Sequence, residues 1–229
     1  MAPSLPANNA SPEALAAEVD PAAPPDKIIH IRPPTTTALP QPSTFDLPSL
    51  RTLSGTWHVT HSTLPMWKSK RNVRITYTLL APSSSPDSEP PRLDDLVSYQ
   101  TLTSQKVRTI RGIDTVSGSG AKSGQGQYTR CGEFDWRGKG WLAVASSHWE
   151  ILGSGRAGEG DMWVVTYFAR TLFTPAGIDI YSRDARGLAV ETVEEIKRAL
   201  AGMGDESVRN LTGELFKIER DDGREGRDE

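Results

Sequence analysis

Alternation is strictest between Val73 and Leu79, where Val73, Ile75, Tyr77 and Leu79 interleave with Arg74, Thr76 and Thr78. A period of two sends the two sets to opposite faces of an extended chain, so this stretch is a strand with one buried face. Upstream, Trp57, Val59 and His61 alternate with Thr56, His58 and Thr60, which gives an earlier strand. The segment between them carries Pro65, Met66, Trp67, Lys68 and Lys70. Leu53–Tyr77 therefore reads as the first strand, lid loop and second strand of a small β-barrel.

The chain that follows supplies the remaining staves. Leu93–Thr103 and Lys106–Thr115 form a pair joined around Ser104-Gln105, and Gln127–Trp136 leads into a hairpin turn at Arg137-Gly138-Lys139-Gly140. Trp141–Leu152, Asp161–Phe173 and Ile178–Arg183 complete the series, with loops at 81–92, 117–126 and 153–160. About eight antiparallel strands in hairpin order favour an all-β, up-and-down closed barrel, because closure removes exposed edges. An interior of that size is filled by side chains or holds one small ligand. The pattern then switches to helical spacing at Val190, Val193, Ile196 and Leu200, predicting an α-helix over about 189–202 packed outside the barrel. Leu211–Ile218 reads as a short returning strand.

Composition separates this core from its ends. Only 36% of the 229 residues are hydrophobic, while Pro and Gly number 17 and 20, which suggests an ordered core diluted by disordered tails. Residues 1–48 read as a disordered Pro/Ala/Ser/Thr-rich tail, 49–220 as the barrel with its helix, and 221–229 as a charged tail. Within the first tail, Ile28-Ile29-His30-Ile31 is an apolar island suited to adding to a sheet edge or plugging a barrel end. The net charge of −3 gives no electrostatic footprint for nucleic acid. The single cysteine, Cys131, rules out an intramolecular disulfide and suits a reducing compartment. The N-terminus has neither a basic start nor an apolar core of a secretory signal, and no run is long enough to span a membrane. A cytoplasmic location is expected.

Gly55-x-Trp57 on a first strand, eight strands in order and a helix after the last strand together resemble the lipocalins. The finish is the more specific match: Ile178-Asp179-Ile180-Tyr181-Ser182-Arg183, then a turn, the helix and the segment Leu211–Ile218. Gly160–Tyr167 stands where the family's second motif lies and matches it loosely. The resemblance covers roughly residues 50–220. It implies that Arg183 lies across Trp57 beside Gly55 and closes one end of the barrel. The missing disulfide and signal depart from secreted lipocalins and imply an intracellular member of the wider calycin group.

Within such a barrel the candidate ligand-binding residues are Met66, Trp67, Tyr77, Tyr99, Arg111, Trp141, Trp149 and Tyr167. Trp149 shares a strand face with Trp141, Ala143, Ala145, Ser147 and Ile151, whose small members leave space, so this face is read as the lumen and the His148–Glu150 face as the exterior. Met66 and Trp67 sit on the lid loop. Arg111, in a row with Val107, Thr109 and Ile113, is the best inward arginine for a ligand carboxylate, with Tyr99, Tyr128 or Tyr167 as partner; a solvent-facing position on the outer wall is the competing reading. His61 and His148 are the barrel histidines available to a heme, and no spacing fits a metal set. No cofactor is expected.

The resulting functional reading is non-covalent binding of a small, largely hydrophobic molecule. An isomerase or cyclase of small-molecule metabolism is the alternative, and an interaction module built on the Pro-rich tail is a third. A titratable group inside the barrel, such as an inward His61, Tyr167, Glu133 or Arg111, would favour the enzyme.

Overall fold

The computed structural model describes residues 29–42, 45–81, 89–118, 130–157, 161–172, 174–221 and 224. A short helix α1 (Leu50–Leu53), N-capped by Ser49, leads into β1 (Gly55–Ser62). There follow β2 (Lys70–Leu79), β3 (Arg92–Thr101), β4 (Arg108–Val116), β5 (Glu133–Gly138), β6 (Ser146–Arg156), β7 (Met162–Phe168) and β8 (Gly177–Ser182). Each strand pairs antiparallel with the next, and β1 pairs with both β2 and β8. The sheet is thus a closed ring of eight, and no ring strand offers an unpaired edge for its full length.

The alternation read from β2 holds in three dimensions. Val73, Ile75 and Tyr77 are buried in the interior cluster with Trp57, Leu93, Phe134, Trp149 and Tyr181. On the other side of the wall, Leu152, Trp163, Val165, Ile178 and Ile180 form a second cluster. That exterior face is covered by α2 (Val190–Gly202), through Val193, Ile196 and Leu200, and by Val208 of α3 (Glu206–Gly213). Strand β7, MWVVTYF, therefore contributes apolar residues to both faces and reads as a near-continuous apolar run.

Three features differ from the sequence reading. Residues 206–213 are helical, N-capped by the Asp205 side chain accepting from Val208 N at 2.9 Å, so only Phe216–Lys217 of the expected final strand pairs, as β9, with His61 and Ser62 of β1. Residues 140–145 are not strand. Gly140 adopts φ 62°, and a 3-10 turn at Gly140–Leu142 opens a wider connection before β6. Positive φ suits glycine, and it bends the chain away from the ladder here.

The third difference is at the N-terminus, where residues 29–42 pack against the barrel. Ile29 and Ile31 join the exterior cluster. A bulge between Ile151 and Gly153 frees the Leu152 carbonyl, which accepts from Arg32 N at 2.8 Å. The Arg32 side chain donates to Ile151 O and Gly132 O and pairs with Glu150 at 2.9 Å, both side chains being buried. Ile29 and Ile31 of the apolar island thus lie on the outer wall, and polar Arg32 holds them against β6. The rest of the expected tail, residues 1–28, lies outside the described residues.

Candidate functional site

Because β1 begins and β8 ends at the same end of the ring, the seam closes there. Arg183, just after β8, places its guanidinium 3.7 Å from the Trp57 ring centroid and donates to the carbonyls of Thr52, Ser54 and Thr56. Gly55, at φ 96°, leaves the room the arginine occupies.

The other end is open. Connections 63–69 and 139–145, with residues 169–172 and 174–176, surround the mouth of a cavity of about 1090 Å³ that runs into the barrel. Its lining is largely aromatic and apolar. Trp149 is stacked between Phe134 (centroids 4.2 Å) and Tyr77 (5.8 Å), forming a flat slab across the interior. Offset aromatic stacking of this kind fixes ring planes and presents broad apolar area to a guest. Trp67 of the lid loop packs edge-on to Tyr99 at 6.0 Å. Met66, Val144 and Leu172 are at least two-fifths exposed at the rim.

Among the residues expected to contact ligand, Met66, Trp67, Tyr77 and Trp149 line this cavity, and Tyr99 supports Trp67 from the side. Trp141 has its backbone in the turn at the mouth. Two expectations need correction. Arg111 points outward, half-exposed, and forms an ion pair with Asp94 at 3.0 Å on the outer wall, because Ile110, Gly112 and Asp114 take the inner positions of β4. Tyr167 sits with the exterior cluster near residues 35–36; Thr166 and Phe168 take the inner face. His61 is likewise outside, near Lys197 and Lys217, and burial with those charges lowers its pKa to about 4. Glu133 alternates against the inward Phe134 and so belongs to the outer wall. Tyr128 lies outside the described residues. His148 stands on the outer face at the mouth, its Nδ1 2.8 Å from Asp135 Oδ1, and Glu150 with Asp135 raises its pKa to about 9.

Sequence reasoning missed the polar part of the interior. Asp95 on β3, Asp114 on β4 and Asp179 on β8 are all buried on the inner wall. Trp149 Nε1 donates to Asp114 Oδ1 at 2.7 Å, and Ser62 Oγ donates to Asp179 Oδ1 at 2.5 Å. The Trp136 indole lies over Gly112, where a Cβ would meet it at 2.1 Å, and its N–H serves Asp95. Burial raises the pKa of all three carboxyls, that of Asp179 to about 7. Burial raises the phenols of Tyr77 and Tyr181 well above the usual tyrosine range. The signal was present in the sequence: Asp95 alternates in register with Leu93, Val97 and Tyr99, and Asp179 falls in register with Tyr181. An acidic residue in an apolar row is an interior acid.

No family model and no curated protein matches the chain in sequence. Solved structures similar in fold include lobster apocrustacyanin A1 (12% identity, TM-score 0.48, covering 73% of this chain and 77% of that one). H1 crustacyanin from the lobster Homarus americanus is similar at 12% identity and TM-score 0.48, covering 79% and 80% of the two chains. Insecticyanin from the tobacco hornworm Manduca sexta is similar at 13% identity and TM-score 0.47, covering 76% and 80%. With its eight-stranded ring in sequence order, an arginine after the last strand capping the tryptophan of the first, and a helix packed outside, the chain is a lipocalin-like barrel.

Proposed function

We propose that this barrel binds a small, largely hydrophobic molecule in its lumen and carries or sequesters it in the cytoplasm. The observation that supports the reading is the open cavity of about 1090 Å³ floored by the Phe134–Trp149–Tyr77 stack. Concave, mostly apolar spaces with a few convergent polar groups are the usual form of a small-molecule site. The apolar rim of Met66, Val144 and Leu172 offers a ligand a greasy path inward. The buried, unpaired Cys131 fits a reducing compartment. Among the described residues no helix is long and apolar enough to cross a membrane.

Titration of the full chain with fatty acids, retinoids and polycyclic aromatics, read by tryptophan fluorescence, tests this. Trp67, Trp136 and Trp149 all line the cavity, so an occupant quenches or shifts their emission. Saturable change with one class is the expected result; a flat response from every class, with the fold intact by circular dichroism, overturns the reading.

One observation favours the second reading, an isomerase or cyclase. Asp179 lines the cavity and burial lifts its pKa to about 7, within the range of a general acid at neutral pH. In that case a bound ligand is returned chemically altered, which mass spectrometry of the extracted ligand detects.

A further inference from the structure

We propose that the cavity is built for an organic cation: an amine whose ammonium is held by the interior carboxylates, Asp95 foremost, and whose apolar body lies against Trp149. This rests on the ligand-binding reading and names the class of ligand.

The argument starts from what is missing around the acids. Three carboxyls from three strands face the interior, and Asp95 and Asp179 line the cavity itself. The basic side chains lining the cavity are Arg170, which is exposed, and His148, which is committed to Asp135 and Glu150, both at the mouth. Asp95 Oδ1, on a side chain 7% exposed, has no hydrogen-bond partner among the described residues, and neither does Asp114 Oδ2. Opposite Gly112 on the neighbouring strand, Asp95 sits above Asp114, so the two acids are diagonal neighbours on one inner face.

A buried carboxylate without a partner is costly, and proteins normally pair it, hydrogen-bond it or replace it. Here the hydrogen bonds these acids receive come from neutral donors: Trp136 to Asp95, Trp149 to Asp114, Ser62 and Trp67 to Asp179. Asp95, whose Oδ1 is left over, lines the cavity, and a guest ammonium would supply both charge and donors. An anionic guest would instead meet like charge, so the fatty-acid mode, with an inward arginine holding a carboxylate, is disfavoured; Arg111 is outside.

The test uses three probes that differ only in the polar group: naphthylethylamine, naphthylethanol and naphthylacetate. Binding to the full chain is measured by calorimetry and by tryptophan quenching. The amine binds about tenfold or more tighter than the alcohol, the scale of a charge-assisted hydrogen bond, and the acetate binds weakest. Affinity for the amine rises as the pH passes upward through about 7, where Asp179 ionises, while that for the alcohol stays level. Asp95, Asp114, Asp179, Tyr77 and Tyr181 are the groups facing the guest, with Asp135, His148 and Arg170 at the rim. The isosteric Asp95→Asn variant lowers amine affinity about tenfold and leaves that of the alcohol unchanged.

If the alcohol binds and the amine binds no better, the cation proposal is wrong and the apolar site stands. If the acetate binds tightest, the proposal is also overturned. If none of the three binds, both readings fall together. Should Asp95→Asn not fold, the ranking of the three probes on the native protein still decides.

Discussion

Arg183 covers the face of Trp57 at 3.7 Å, and the indole N–H of the same tryptophan donates to Leu53 O at 2.7 Å. Residues 126 positions apart are thereby joined to α1, to the start of β1 and to each other at the seam where the ring closes. The guanidinium's fan of donors is what lets one side chain satisfy the carbonyls of Thr52, Ser54 and Thr56 at once.

Replacing that fan with a point charge should therefore weaken closure. Arg183→Lys is expected to lower unfolding free energy by about 2 kcal/mol, since charged hydrogen bonds contribute roughly 1.5–3 kcal/mol each and lysine keeps only some of them. Urea denaturation checks this, and an unchanged midpoint would show that the seam is held without the arginine.

Gly112→Ala introduces a Cβ 2.1 Å from Trp136 Nε1. The indole must move away from Asp95, at a cost of about 1–3 kcal/mol for an overpacked interior. Thermal unfolding reads the cost, and a shift in tryptophan emission reports the displaced ring.

Removing residues 1–42 should destabilise the barrel, because Glu150, fully buried, loses Arg32 and the Thr35 amide and hydroxyl together. Arg32→Ala alone is expected to cost about 1–3 kcal/mol, because Glu150 keeps the Thr35 hydrogen bonds and His148. A fragment that begins at residue 43 and unfolds at the same denaturant concentration as the full chain would contradict this.

Two pH windows should separate. His148, raised from 6.5 to about 9, contributes stability that is complete below pH 6.5 and is lost as pH rises through about 9. Asp179 holds its proton in the fold up to about 7 but ionises near 3.8 when unfolded, so stability is lost as pH climbs between those values. The slope of melting temperature against pH for His148→Asn should differ from the native protein in the upper window only, the variant being the less stable below it and converging with the native protein above it. Asp179→Asn should differ in the lower one, where the loss on raising pH becomes shallower.

Trp149→Phe keeps the slab but deletes the donor to Asp114 Oδ1. With Asp114 Oδ2 already unpartnered, the whole carboxyl is left bare, and a loss of about 1–3 kcal/mol is expected. Adding Asp114→Asn should recover part of it, and a double-mutant cycle by urea unfolding measures the coupling.

The ring was legible in the residue pattern. Period-two patterning from Val73 to Leu79 assigned inward and outward residues correctly, since side-chain direction in a strand is set locally by the pleat. Trp57 and Arg183 could be paired across the chain because their strands carry recognisable surroundings. The helix after β8 was legible for the same reason, in its 3.6-residue spacing. The tertiary structure alone decided what periodicity leaves open. Alternation separates two faces without saying which is inside, so Arg111 and Tyr167 turned out to be exterior once Asp114 and Thr166 were inside. It also decided where Ile29, Ile31 and Arg32 go, because a bulge in β6, not a pattern in residues 29–32, exposes the carbonyl that receives them. Above all it brought Asp95, Asp114 and Asp179 together around one lumen. Each acid interrupts an apolar row on its own strand, and only closure of the ring places all three around the same lumen.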